Sequence, residues 1–291
     1  MKLLLLKGND MGTPVISIVI VNYNYGRFLE TAIKSVVEQQ SFDQCELIIV
    51  DGGSSDESVE IIKKYQDKIV WWVSEKDKGQ SDAFNKGFSH ASGVFGCWVN
   101  ADDLLLPGVL HDVIGYLKKN PKSDWIGGGV VWLDKDMKVT KCSSNTQLPA
   151  FLQRISPGFI VGGPSSFFRI SIIKEIGGFD ISLHYAMDND LWLRMLTQGY
   201  RLSVLPRYLW TFRMHEASKT TMNLLPHDVS VLNEDRLLDG RLLTERYPIN
   251  TRHEKVVSRI ISIIKLLKGA YLKSFIDTIR YRNQPVQEVF K

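Results

Sequence analysis

The run Cys97-Trp98-Val99-Asn100-Ala101-Asp102-Asp103 ends in two adjacent carboxylates, and Leu104-Leu105-Leu106-Pro107 then resumes an apolar chain. Gly96 to Val99 has the composition of a short buried strand, so Asp102 and Asp103 emerge at a strand–loop junction. Neighbouring like charges repel, and such a pair adds little stability alone. A divalent cation removes the repulsion. Hard oxygen ligands suit Mg²⁺ or Mn²⁺, ions that in turn bridge phosphate oxygens. The same carboxylates serve equally as N-caps for a helix from Leu105 onward. Two further strand ends carry polar groups, Asn22-Tyr23-Asn24 and Asp51-Gly52-Gly53. A carboxylate at Asp51 can accept from a base N–H, as uracil presents one; it also fits the first position of an Asp-Gly turn. Tyr23 can stack on a base or roof the core. Lys78-Gly79-Gln80 can bring backbone N–H groups to a phosphate before a helix N-terminus, or form an ordinary solvated connection.

The elements that must position these groups follow from apolar spacing. Val15 to Val21 is a continuous β-branched run, which predicts a strand buried on both faces and therefore a parallel sheet. Arg27 to Gln39 has helical spacing. Glu46 to Val50 reads as a second strand, Ser54-Ser55-Asp56-Glu57 as the capped opening of a second helix, and Ile69 to Val73 as a third strand. Ser81 to Ala91 reads as a third helix and Val94 to Val99 as a fourth strand. Alternation of this kind predicts a doubly wound α/β sheet with ligands beyond the carboxyl ends of its strands. Beyond it, Trp125 to Leu133 reads as a strand interrupted by Gly127-Gly128-Gly129. Residues 134–163 read as loop and short elements. Asp190 to Gly199 is predicted helical, with Asp190 as its cap; Val204 to Arg213 is strand-like; helix dominates after Pro226.

The chain has 291 residues, enough for one large core with a small extension. A net charge of +4 is too mild to indicate nucleic acid. Three scattered cysteines, Cys45, Cys97 and Cys142, have no metal-ligand spacing and fit a reducing compartment. Met1 to Leu6 resembles a signal start, but Lys7-Gly8-Asn9-Asp10 has no cleavage-type ending. The expectation is a cytoplasmic protein.

Four segments together carry a resemblance: Ser17 to Asn24, Val50 to Asp56, Asn100 to Asp103, and Met187-Asp188-Asn189-Asp190-Leu191-Trp192-Leu193-Arg194. In this order and spacing they resemble family 2 of the glycosyltransferases, inverting enzymes of the GT-A fold that use nucleotide sugars. The resemblance spans roughly residues 14–222. Ser74 to Gly87 is similar to the bacterial subgroup that builds surface polysaccharide and lipid-linked glycans. It implies a GT-A catalytic domain over 12–225 and a helical extension over 226–291. It implies donor contacts from Asn22, Tyr23, Asn24, Asp51, Asp77, Gly79, Gln80, Asn85, Lys86, Asn100, Ala101 and Asp102. Lys86 can also simply face solvent. The metal, Mg²⁺ or Mn²⁺, falls to Asp102 with Asp103 as helper. His215 joins them through Arg213 to Thr220, which resembles the family's His-x-x-Ser-x-Thr segment. Asp188 matches the catalytic base. Two positions depart from the pattern: Asn100 replaces an aspartate, and Met187 replaces an acidic neighbour of the base. Gly162 to Arg169 resembles a loop near the acceptor and donor sugar.

The implied reaction moves a sugar from a nucleotide-diphosphate donor, a UDP-sugar by preference, to a hydroxyl of a glycan or lipid-linked acceptor. A catalytically silent module that binds glycan or a partner enzyme is the rival from another class, and the two departures favour it. A nucleotidyltransferase fits less well, because Asn22 to Arg27 is not a glycine-rich basic loop. From Arg252 to Arg282 there are eight Lys and Arg residues against Glu254 and Asp277. Val256, Ile260, Ile263, Leu267, Tyr271 and Phe275 recur there at helical spacing, beside Val257, Ile261 and Ile264. A basic amphipathic helix can lie on an anionic membrane, here the inner face of the cytoplasmic membrane, or pack on the catalytic domain or on a second subunit of a homodimer.

Overall fold

The computed structural model describes residues 13–149, 152–153, 163, 166–218, 234–247 and 251–290. The apolar start Met1 to Leu6 lies outside them, as do most of the loop from Gly162 to Ser165 and Lys219-Thr220.

Strands β1 (Ile16–Asn22), β2 (Cys45–Asp51), β3 (Ile69–Ser74) and β4 (Phe95–Asn100) alternate with helices α1 (Gly26–Val37), α2 (Ser58–Lys64) and α3 (Gln80–Ser89). The four strands are parallel, in the order β3-β2-β1-β4. Successive side chains of a strand point to opposite faces. Ile16, Ile18 and Ile20 accordingly enter one apolar cluster, with α1 and α4 (Val109–Lys119). Val19 and Val21 enter another, with α3 and α6 (Met187–Thr197). Burial on both faces explains the continuous β-branched composition of β1.

Four more strands complete an eight-stranded sheet: β5 (Trp125–Leu133), β6 (Val139–Ser143), β7 (Ser166–Arg169) and β8 (Leu202–Arg213). β7 leads into the short helix α5 (Ile170–Glu175) and pairs antiparallel with β4 and β5. β5 also pairs parallel with β8 and antiparallel with β6. The three glycines do not interrupt β5. A Cβ on Gly128 would lie 2.4 Å from Leu209 Cγ and 2.7 Å from the Arg207 carbonyl, so glycine permits close approach of β8. β6 is one of the short elements in the stretch read as loop and short elements.

Three local expectations are corrected. α4 begins at Val109 with Gly108 as its cap residue, so neither Asp102 nor Asp103 caps it. α2 begins at Ser58, later than expected; Asp56 accepts from the Ser58 N–H and also from Gly26 N–H, tying α2 to α1. Asp190 is the fourth residue of α6, whose cap residue is Ala186, so it does not cap the helix, and it is 1% exposed. It is paired with Arg194 at 2.7 Å.

The extension is α7 (Glu234–Arg246), α8 (Thr251–Leu267), α9 (Ala270–Tyr281) and α10 (Val286–Val289). Gly269, at φ +72°, separates α8 from α9. One side of this pair is attached to the sheet. Val257 and Ile261 pack with Leu148 and Leu152. Cys142 N–H donates to Thr278 Oγ1 at 2.9 Å, and Tyr208 Oη donates to Asp277 at 2.7 Å. The stripe from Val256 to Phe275 faces outward instead. No helix among the described residues is long and apolar enough to cross a membrane.

Candidate active site

The parallel register brings Ser74, Asp51 and Asn22 into one row, with Asn100 paired to Val21 on the other side of β1. Beyond these ends lies a cavity of about 360 Å³. Asn22, Tyr23, Asp77, Gly79, Gln80, Asn100, Ala101, Asp102 and Asp103 all line it. Its volume is that of a small-ligand pocket. A larger cavity of about 650 Å³ lies among α1, α4 and α10. None of the strand-end carboxylates lines it, so size alone does not mark the site.

Asp102 and Asp103 diverge in role. Asp103 is 2% exposed and accepts from Arg213 N–H and from Asn100 Nδ2, both at 2.9 Å. Burial, reinforced by the charge of Asp102, pushes its carboxyl well above the usual range. It is therefore a brace rather than an open ligand. Asn100, neutral where the family has an acid, links Gln80 (3.2 Å) to Asp103. Asp102 is free of that brace. Its Oδ2 lies 3.0 Å from His215 Nε2, and His215 Nδ1 is buried without a hydrogen-bond partner among the described residues. Tyr25 and Phe28 flank the His215 ring. Among the described residues, no group of three or more His, Cys, Asp or Glu side chains could hold a metal. Asp102 and His215 alone fit a weaker arrangement, in which Mg²⁺ or Mn²⁺ takes one or two protein ligands and completes its shell from phosphate and water.

Asp188 stands at the start of α6, next to Met187 in the cavity wall. It is half-buried against Gly163, where a Cβ would come within 2.9 Å of Asp188 Oδ2. Burial raises its carboxyl above the usual range, opposed by backbone N–H groups of residues 188, 189 and 163. Arg246 and Tyr247 of the extension reach Asp190 at 3.4 and 3.3 Å, so Asp190 is committed to structure.

Four expected donor contacts fall outside the cavity lining. Asp51 is fully buried and accepts from Asn22 Nδ2, Ser54 N–H, Ser54 Oγ and Ser74 Oγ. Those donors occupy its lone pairs, so in this conformation it braces the wall. The same network leaves Asn22 Oδ1 as a buried acceptor without a partner among the described residues. Asn24 accepts from Ser55 N–H and tethers the β1 and β2 loops. Asn85 clamps both backbone groups of Phe179 at 2.7 Å. Lys86 pairs with Glu75 at 2.6 Å. Asp77 remains in the wall, accepting from Gly79 N–H, and burial raises its carboxyl.

Tyr25, His184, Tyr185, Phe212 and Ser218 line the cavity without having been singled out as site residues. Tyr25 Oη donates to the Ala217 carbonyl at 2.5 Å, closing the β1 loop onto the turn that carries His215. The aromatic pair just before Met187 was the signal available for His184 and Tyr185.

Residues 17–177 match the sequence profile described as glycosyl transferase family 2. An uncharacterized glycosyltransferase of Mycobacterium tuberculosis is 31% identical over 185 residues, 62% of this chain and 68% of the relative. Another, from Methanocaldococcus jannaschii, is 25% identical over 70% of this chain and 72% of its own. Among solved structures, S. aureus TarS 1–349 in complex with UDP-GlcNAc superposes with a TM-score of 0.58 at 18% identity, covering 83% of this chain and 70% of the 1–349 chain. The mannosyltransferase PcManGT from Pyrobaculum calidifontis, in complex with GDP-Man and Mn²⁺, gives 0.56 at 17% identity, covering 76% and 64%. These two likenesses are of fold.

Proposed function

Because the chain belongs to glycosyl transferase family 2, we propose that it is an inverting transferase. It moves a sugar from a nucleotide-diphosphate donor, a UDP-sugar by preference, to a hydroxyl of a glycan or lipid-linked acceptor. The carrying observation is the cavity at the carboxyl ends of β1 to β4, with Asp102 on one wall and Asp188 at the start of α6 beside the other.

Tyr23, Asp77, Gly79 and Gln80 receive the nucleotide and its phosphates. Asp102 and His215 hold Mg²⁺ or Mn²⁺, which when bound offsets charge on the leaving diphosphate. Asp188, ionised, takes the proton of the acceptor hydroxyl as that oxygen attacks the anomeric carbon. The bond to the diphosphate oxygen breaks on the opposite face, and the anomeric centre inverts. Proton removal of this kind contributes about 10²–10⁴-fold.

The exposed outer face of α8 and α9 supports the reading that the acceptor is met at a membrane. Ten large apolar side chains there are 40% to 80% exposed, from Ile260 to Leu267. Contiguous exposed apolar surface marks interaction sites. Arg259 and Arg280 are exposed on the same helices, whereas Lys268 Nζ donates to the Gln147 carbonyl and Lys273 pairs with Asp277. An anionic bilayer complements exposed cations beside an apolar face.

A thermal-shift panel of nucleotide diphosphates and nucleotide sugars, with and without Mn²⁺, tests the donor reading. Binding to the native state raises stability by mass action. A Mn²⁺-dependent shift with UDP and UDP-sugars is expected. A shift with GDP compounds alone would replace the donor, and binding without release of UDP in any acceptor assay would favour the silent module.

A further inference from the structure

Helix α7 lies beyond the matched stretch 17–177, yet it reaches the base-bearing loop at three points. Asp239, 1% exposed, presents one carboxylate oxygen to three successive amides. Its Oδ2 accepts from His184 N–H at 3.0 Å, Tyr185 N–H at 2.6 Å and Ala186 N–H at 2.8 Å. Arg246, two turns along, pairs with Asp180 at 2.5 Å and approaches Asp190 at 3.4 Å. The segment 180–190 is thus held before, within and after the turn into α6.

Ala186 is the residue that precedes α6, and Asp188 is the second residue of that helix. His184, Tyr185 and Met187 wall the cavity. Three parallel amides aimed at one point would repel one another without an anion between them. A buried carboxylate satisfies all three through charge-assisted bonds, which are shorter and stronger than neutral ones. It also lies at the positive end of the α6 dipole.

We propose that Asp239 is a positioning residue: by gathering the amides of 184–186 it fixes the turn that aims Asp188 at the acceptor hydroxyl. This rests on Asp188 being the base, so the test must separate the two statements. A double-mutant cycle does so, with UDP release from a UDP-sugar as the readout. Asp239→Asn keeps the side-chain shape but sets an amide among the donors, and should lower kcat roughly 10-fold or more. In an Asp188→Asn background the same change should cost almost nothing, because it acts through a group already removed. An equal loss in both backgrounds, or no loss in the native background, overturns the positioning role. An Asp188→Asn enzyme with native turnover sinks the base reading and this proposal together. If circular dichroism shows that Asp239→Asn does not fold, Asp239→Glu, which keeps the charge but moves it by one methylene, carries the same cycle.

Discussion

Asp188 combines a chemical asset with a folding cost. Burial raises its pKa above the ordinary value of about 3.9. Activity that needs the ionised form should fall on acidification, with an acid limb in kcat/KM above the usual aspartate range. The stability sign runs the other way. A carboxyl raised on folding contributes fully below its unfolded pKa, and that contribution is lost as pH rises through the folded value. Asp188→Asn should therefore raise Tm at neutral pH and leave it unchanged near pH ~3, while turnover falls by about 10² or more. A neutral-pH Tm below the native one would contradict the burial argument. Asp102→Ala should remove the Mn²⁺ dependence of UDP binding in calorimetry without loss of fold. Undiminished dependence would move the ligand to His215 alone. At this scale the residue types were legible, because strand-end acids stand out against apolar runs. Their partners were not. Nothing in the spacing reveals that Ser54, Ser74 and Asn22 converge on Asp51, or that Arg213 N–H holds Asp103.

Elements were legible where one period ran uninterrupted. β1, β2 and α1 follow from continuous β-branched runs and a clean helical stripe. β6 was legible only as an unspecified short element, because Val139-Thr140-Lys141-Cys142-Ser143 lacks strong alternation and depends on its partner β5. The glycine run was misleading for a related reason: its smallness answers to β8 and β6 across the sheet. Gly128→Ala should therefore force β5 and β8 apart at a cost of about 1–3 kcal/mol, read as a lower midpoint in urea unfolding. An unchanged midpoint would mean that Leu209 can withdraw freely.

The whole molecule is a catalytic unit with helices attached on one side and apolar on the other. Sequence spacing found the stripe from Val256 to Phe275 but assigned it no direction; the adjacent Val257 and Ile261 are the pair that pack inward on Leu148 and Leu152. Removing α8 and α9 would strip bonds from β6 and β8, so point changes are the cleaner probe. Leu267→Glu with Phe275→Glu should leave the Tm within a few degrees and abolish sedimentation with anionic liposomes. Salt should weaken binding of the native protein, since roughly 1 kcal/mol for each basic residue near the surface is screened. Native protein that ignores such liposomes at low salt, or that runs as a dimer only when the stripe is intact, would assign this face to a second copy.

Trp98, Trp192 and Trp125 form a continuous stack, with ring centroids 5.6 and 4.4 Å apart and planes within 17°. They belong to β4, α6 and β5, and Trp192 lies one turn beyond Asp188. Indoles this close share their electronic excitation. The seating of α6 is thereby written into the protein's own optics: intrinsic emission and near-ultraviolet circular dichroism should report its displacement in an unlabelled enzyme and in real time.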